Sequence, residues 1–199
     1  ALASLAPAFA LEVITVPDDV NALNLSDVLQ VMPGEGGRVQ FSTAPCADGI
    51  IRRIEVLASE KGTDPSFALF ALSNEGDQQI ERLLVAPFYR LPGSGILQPD
   101  LGSDRVTALT PSAGIRPVRL SNAEADVFEV TLDPGATVTF VAELTGKGLP
   151  ELYLWQPDAY RDYVNSFPLF RGVVLGVASL AAVFLSIMFV VKGRGVFPA

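Results

Sequence analysis

Residues 128–144 read FEVTLDPGATVTFVAEL, and the fold class turns on this stretch. Phe128, Val130 and Leu132 alternate with Glu129 and Thr131, the period-two pattern of a strand with one apolar face. Asp133-Pro134-Gly135 then supplies a turn: proline presets the first central position, and glycine accepts a positive φ at the second. Val138, Phe140, Ala142 and Leu144 resume the alternation along the same face. The pattern predicts a half-buried antiparallel hairpin.

Working outward, the same short period recurs with turn residues between the runs. SFALFALSN (66–74) is apolar on both faces, as in a central strand or one packed between layers. IERLLVAP (80–87), GRVQFSTA (37–44), IIRRIEVLA (50–58), DRVTALTPS (104–112) and LYLW (152–155) complete a set of eight or nine short strands. Only NLSDVLQVM (24–32) has helical spacing, with Ser26 as its cap. Many short strands broken by Gly and Pro predict an all-β domain, a jelly-roll-like antiparallel β-sandwich, over residues 11–156. That is one domain's length, enough for a core of its own.

The C-terminal part changes character. Residues 172–191 carry no charge and no proline, and are followed by Lys192 and Arg194. Twenty helical residues span about 30 Å, the thickness of a bilayer's hydrocarbon core, so a transmembrane helix is expected. Before it, QPDAYRDYVNSFPLFRG (156–172) predicts a short juxtamembrane helix over 157–171, started by Pro157 and Asp158. Tyr160, Tyr163 and Phe167 are placed there as interfacial anchors. At the other end, ALASLAPAFA (1–10) closes in small-x-small and resembles a signal-peptide remnant cut after Ala10. Export then puts residues 11–171 in the periplasm and 192–199 at the start of a cytoplasmic loop, with Lys192 and Arg194 inside as the positive-inside rule requires. Arg171, on the outer side, works against that rule, and the export signal decides the orientation.

Charge and cysteine content narrow the function. All 22 acidic residues but only 12 of the 14 basic ones precede the span, a net charge of −10 that repels nucleic acid and anionic lipid. With no histidine and a single cysteine, Cys46, the chain has no intrachain disulfide, no His- or multi-Cys zinc site and no Ser-His-Asp apparatus. No nucleophile–base pair can be picked out, so no enzyme activity and no cofactor are expected of these residues.

Three stretches invite a functional reading. RLPGSGILQPDLGSDR (90–105) is a long Gly- and Pro-rich segment in which Arg90 and Arg105 can clamp a carboxylate or phosphate, with Asp100 and Asp104 between them. The plainer alternative is an inter-sheet connection tied by its own Asp–Arg pairs. SNEGDQQIE (73–81) groups Asn74, Glu75 and Asp77 but lacks the ligand spacing of a calcium loop, and reads as a solvated turn. Gly172, Gly176 and Ser179, continued by Val183 and Ser186, form a small-residue face on the span. That face suits a homodimer, packing against other spans, or neither.

Beyond these patterns, STAPCADGIIRRIEV, FALFALSNEGDQQIERLLVAP, GSGILQPDLGSDR, ADVFEVTLDPGATVTFVAEL, ELYLWQPDAYRDYVNS and FVVKGRGVFPA carry a resemblance over residues 38–199. They resemble the exported sensor segment and first span of bacterial seven-helix membrane receptors with diverse intracellular signalling modules. The similarity is greatest to alphaproteobacterial members whose cytoplasmic GGDEF and EAL domains make and degrade cyclic di-GMP. The resemblance implies a jelly roll akin to carbohydrate-binding modules and a chain continuing past Ala199 into further spans and output domains; the family's ligand is generally not established, and the partners expected are the membrane and an unidentified small ligand, a carbohydrate among the candidates. It carries no binding residue across. The expectation is a periplasmic sensory region of a signalling receptor in the bacterial inner membrane. The alternative is a membrane-anchored binding or structural ectodomain without signalling output.

Overall fold

A computed structural model describes residues 11–45, 49–60, 62–90, 98–99, 105–112, 116–122, 124–146 and 151–193. The expected signal-peptide remnant, Cys46, Asp100, Asp104 and Arg194 lie outside the described residues. The chain divides into two units at Pro157/Asp158, a β domain and a helix.

The β domain holds fourteen strands among the described residues: β1 (Val13–Thr15), β2 (Ala22–Asn24), β3 (Gln30–Pro33), β4 (Arg38–Ser42), β5 (Arg53–Leu57), β6 (Ser66–Ser73), β7 (Ile80–Pro87), β8 (Tyr89–Arg90), β9 (Gln98–Pro99), β10 (Val106–Pro111), β11 (Val118–Leu120), β12 (Ala125–Leu132), β13 (Thr137–Leu144) and β14 (Tyr153–Trp155). This exceeds the eight or nine expected, because strands of two to four residues are too short to show a period. One five-stranded sheet runs β1-β6-β13-β10, with β3 and β1 following one another along the free side of β6. The second runs β11-β12-β7-β14-β2. Two further pairs, β4–β5 and β8–β9, stand apart.

The hairpin expected at 128–144 does not form. β12 pairs with β7 and β11 in the second sheet, whereas β13 pairs with β6 and β10 in the first. Asp133-Pro134-Gly135 therefore closes a corner between sheets. Ala136 N donates to the Asp133 carbonyl at 3.1 Å, and Gly135 sits at φ 66, where a side chain would be strained. The even-numbered residues still share one apolar environment, but they meet across the core: Phe128, Val130 and Leu132 face Val138, Phe140, Ala142 and Leu144 from the opposite sheet. The chain makes the same crossing from β6 to β7, so two corners lie side by side at this end.

Asn74 joins the corners. Its amide donates to the carbonyls of Gln78, Leu132 and Asp133, at 2.8, 3.1 and 3.2 Å, and its Oδ1 accepts from Gly76 N at 3.0 Å. The stretch weighed as a calcium loop is thus a turn organised by a buried amide. Asn74→Ala leaves those carbonyls without their donor and is expected to cost about 2–3 kcal/mol, read as a lower thermal midpoint of the detergent-solubilised chain.

The main core lies between the two sheets, and Phe70 stacks on Phe140 at 5.5 Å within it. A second apolar cluster lies on the other face of the first sheet, where the β4–β5 ribbon sets Val39, Phe41, Ile54 and Val56 against Phe67, Leu69, Ala71 and Val141. Burial of β6 on both faces, as its sequence predicts, follows from this third layer. Glu143, also on the outer face, is buried and accepts from the main-chain N and hydroxyl of Ser59 at 2.9 and 2.7 Å, which fastens the ribbon.

At the corner end, Arg82 faces inward between Ile80 and Leu84 and donates to the Pro17 carbonyl at 2.9 Å and the Glu81 carbonyl at 3.0 Å. Burial pushes its guanidinium below the usual arginine range, and Asp18 opposes that shift. The helix expected over 24–32 does not form: Ser26–Val28 makes a single 3-10 turn, and β3 follows. Asn24 Oδ1 accepts from Ser26 N at 2.9 Å, and Ser26 Oγ, instead of capping a helix, accepts from Leu152 N at 3.0 Å.

The helical unit is one uninterrupted helix, α1 (Pro157–Gly193), where two consecutive helical segments were expected. Its 37 residues make it about 55 Å long. Pro168 lies inside it and has no N–H to give the Val164 carbonyl. Tyr160 is buried, which removes it from the expected ring anchors, while Tyr163 is exposed.

Candidate functional site

Inward-facing positions of β12 are the even-numbered ones, and Asp126 occupies the first of them, opposite Ala86 of β7. Its carboxylate is buried, with 1% of the side chain exposed. At this end of the domain β10 of the first sheet begins beside it, and Val106 N donates to Oδ2 at 3.1 Å. Arg105, one residue earlier, is held by its main chain: its N donates to Thr145 Oγ1 at 2.8 Å, and its carbonyl accepts from Thr145 N at 3.0 Å. The side chain makes a two-pronged contact with Asp126, Nε to Oδ2 at 3.1 Å and Nη2 to Oδ1 at 3.2 Å. Its Cζ lies 3.7 Å from the centroid of Phe88.

A second arginine reaches the same carboxylate. Arg119 of β11 stands opposite Phe128 in the ladder. Its Nη2 donates to Asp126 Oδ1, its Nη1 donates to the Thr107 carbonyl at 3.4 Å, and its Cζ is 5.6 Å from the Phe128 ring. One buried carboxylate therefore gathers two guanidiniums and a main-chain N–H from strands of both sheets. It ties the sheets at the end opposite Asn74. The two arginine side chains remain half exposed, at 49% and 48%.

Of the four residues singled out for ligand binding, the structure places Arg105 in a charged cluster, and its partner is Asp126. This pairing joins the end of the segment to β12 and is not one of the segment's own Asp–Arg pairs. Asp100 and Asp104 lie outside the described residues, and of Arg90 only the backbone position in β8 is described. Sequence reasoning missed Asp126 and Arg119. Asp126 had a readable signal, a carboxylate in phase with Phe128, Val130 and Leu132; Arg119 had none.

Elsewhere, an open cleft of about 440 Å³ is lined by Met32, Pro33, Glu35, Arg38, Val39 and Gln40. It offers little fixed chemistry, since Arg38 already contacts Glu55 at 3.3 Å. Among the described residues no group of three or more His, Cys, Asp or Glu is placed to hold a metal ion. On α1, Gly172–Lys192 is long and apolar enough to cross a membrane, with mean hydropathy 2.7 and none of it buried. Gly172 and Gly176 leave open space along it, and Ser186 Oγ donates back to the Ala182 carbonyl at 2.7 Å. Searches against protein-family models, curated proteins and solved structures return no match for this chain.

Proposed function

We propose that the chain is the periplasmic sensing region and first transmembrane helix of a bacterial receptor whose cytoplasmic part controls cyclic di-GMP. The resemblance of residues 38–199 to seven-helix sensors with GGDEF and EAL output supports the class. The crossing of the chain between sheets from β6 to β14 supports reading the domain as jelly-roll-like. The observation that carries the proposal is the connection at the domain's exit. β14, paired on both sides, ends at Trp155, and α1 starts at Pro157 and continues without a break through the apolar segment. A single residue, Gln156, separates them, and its N donates to the Asn21 carbonyl at 2.9 Å. A passive anchor is served as well by a long flexible linker, whereas a receptor that passes a displacement of its last strand to the membrane helix is served by a direct connection without one.

Inserting a flexible Gly-Ser segment between Val164 and Leu169 in the chromosomal gene is expected to abolish the dependence of cellular cyclic di-GMP on the receptor's stimulus while the protein stays in the membrane fraction. Unchanged signalling would defeat the coupling and leave a membrane-anchored binding ectodomain. Sidedness has its own test: protease added to intact spheroplasts is expected to digest residues 11–156.

A further inference from the structure

Asp126 has more positive charge around it than its pairing requires. The fork from Arg105, with the Val106 N–H, meets both oxygens of the buried carboxylate. Arg119 adds a second full charge to an oxygen already bonded to Arg105. Both guanidiniums bond the same Oδ1, so two like charges are held within a few ångströms of each other, with a net charge of +1 in a strongly acidic domain. Arg105 is bonded to Asp126 along one edge, Arg119 gives it Nη2 while its Nη1 makes a long contact with the Thr107 carbonyl, and both guanidiniums lie half exposed beyond these contacts. Phe88, 3.7 Å from Arg105 Cζ, fixes the plane of that guanidinium, so little rotamer entropy remains to be lost on binding.

We propose that Arg105 and Arg119 together form a docking site for the oxyanion of a small acidic ligand, with Asp126 as the residue that positions them. A carboxylate or phosphate group bridging the outer edges of the two guanidiniums would relieve their repulsion and accept charge-assisted hydrogen bonds from both. The chemistry shared by the two ligand types is a compact anion with at least two oxygens. This deepens the sensor reading by naming the ligand class, and so rests on the domain being a ligand-binding unit.

The test uses the 199-residue chain in detergent micelles, titrated with succinate and separately with inorganic phosphate at ionic strength held constant with sodium chloride. Saturable shifts of the Arg105 and Arg119 Nε–H resonances with either probe support the site, and the probe that shifts them distinguishes carboxylate from phosphate recognition. Arg119→Gln leaves Asp126 paired with Arg105, so the fold persists, and binding is expected to weaken by about tenfold or more. Arg53→Gln, at an exposed position of β5, is expected to leave binding unchanged. The proposal is overturned if neither probe moves those resonances, or if Arg53→Gln weakens binding as much as Arg119→Gln. Failure of the receptor reading looks different: binding in micelles stays intact while the Gly-Ser insertion leaves signalling unaltered.

Discussion

Asp126→Ala is expected to lower the unfolding midpoint of the β domain by about 6–12 °C. Removing the carboxylate costs Val106 N–H its acceptor and leaves Arg105 and Arg119 facing each other without a counter-charge. Breaking a buried ion pair by deleting one partner typically costs about 3–5 kcal/mol. Here the arginines are half exposed and can turn toward water, which argues for the lower end, about 3 kcal/mol. For a domain of this size each kcal/mol moves the midpoint by roughly 2–4 °C. Arg119→Gln separates this account from a general effect of charge, because the Arg105 fork still holds the carboxylate, and it is expected to shift the midpoint by about 2 °C or less. Differential scanning fluorimetry in detergent reads both. Equal losses for the two variants would mean that Asp126 is not the hub of the cluster.

The error at residues 128–144 shows what alternation conveys and what it leaves out. Period two states which side chains of β12 and β13 are buried, and every inward position named from the sequence lies in the core. It does not state whether the second strand returns beside the first or across from it. A hairpin and a sheet-to-sheet corner bury the same alternate residues and are closed by the same turn chemistry. The difference was written instead in the other parity of β13, where Thr139, Val141 and Glu143 are buried as well. A strand with both faces covered belongs between layers, and β6, the stretch read that way, is its neighbour in the ladder. Residues 24–32 failed for a different reason: nine residues are too few to separate a helix from a strand, and Asn24 and Ser26 satisfied main-chain groups outside any helix.

The candidate site was half legible. Arg105 was found because it closes a long Gly- and Pro-rich segment, a matter of local sequence. Its partner lies 21 residues on, and only the topology that starts β10 beside β12 brings the two together. A carboxylate phased with three core residues is costly unless paired, so Asp126 advertised a partner without naming it. Arg119 reaches the cluster through its register with Phe128, which no property of VRL predicts.

The proposed membrane crossing by α1 leads to the second large effect. About a dozen Leu, Ile, Phe and Val residues in Gly172–Lys192, at roughly −0.3 to −0.6 kcal/mol each, favour insertion by about 4–7 kcal/mol before the smaller opposing contributions of Gly and Ser. Each arginine at the helix centre opposes this by about 2.5–3.5 kcal/mol and also removes the contribution of the residue it replaces, so one weakens insertion and two turn the balance against it. Leu180→Arg combined with Phe184→Arg is therefore expected to move the chain from the carbonate-resistant pellet to the extractable fraction. Both side chains are exposed on the helix, so the change does not act by disturbing a packed core. Val190→Arg, two residues from Lys192, is expected to stay in the pellet, because a side chain near the end of a span can extend to the headgroups. The contrast between central and terminal positions is what identifies a bilayer. A helix held by another protein would lose its partner according to which face was changed, irrespective of depth. A double variant that still resists carbonate would overturn the crossing.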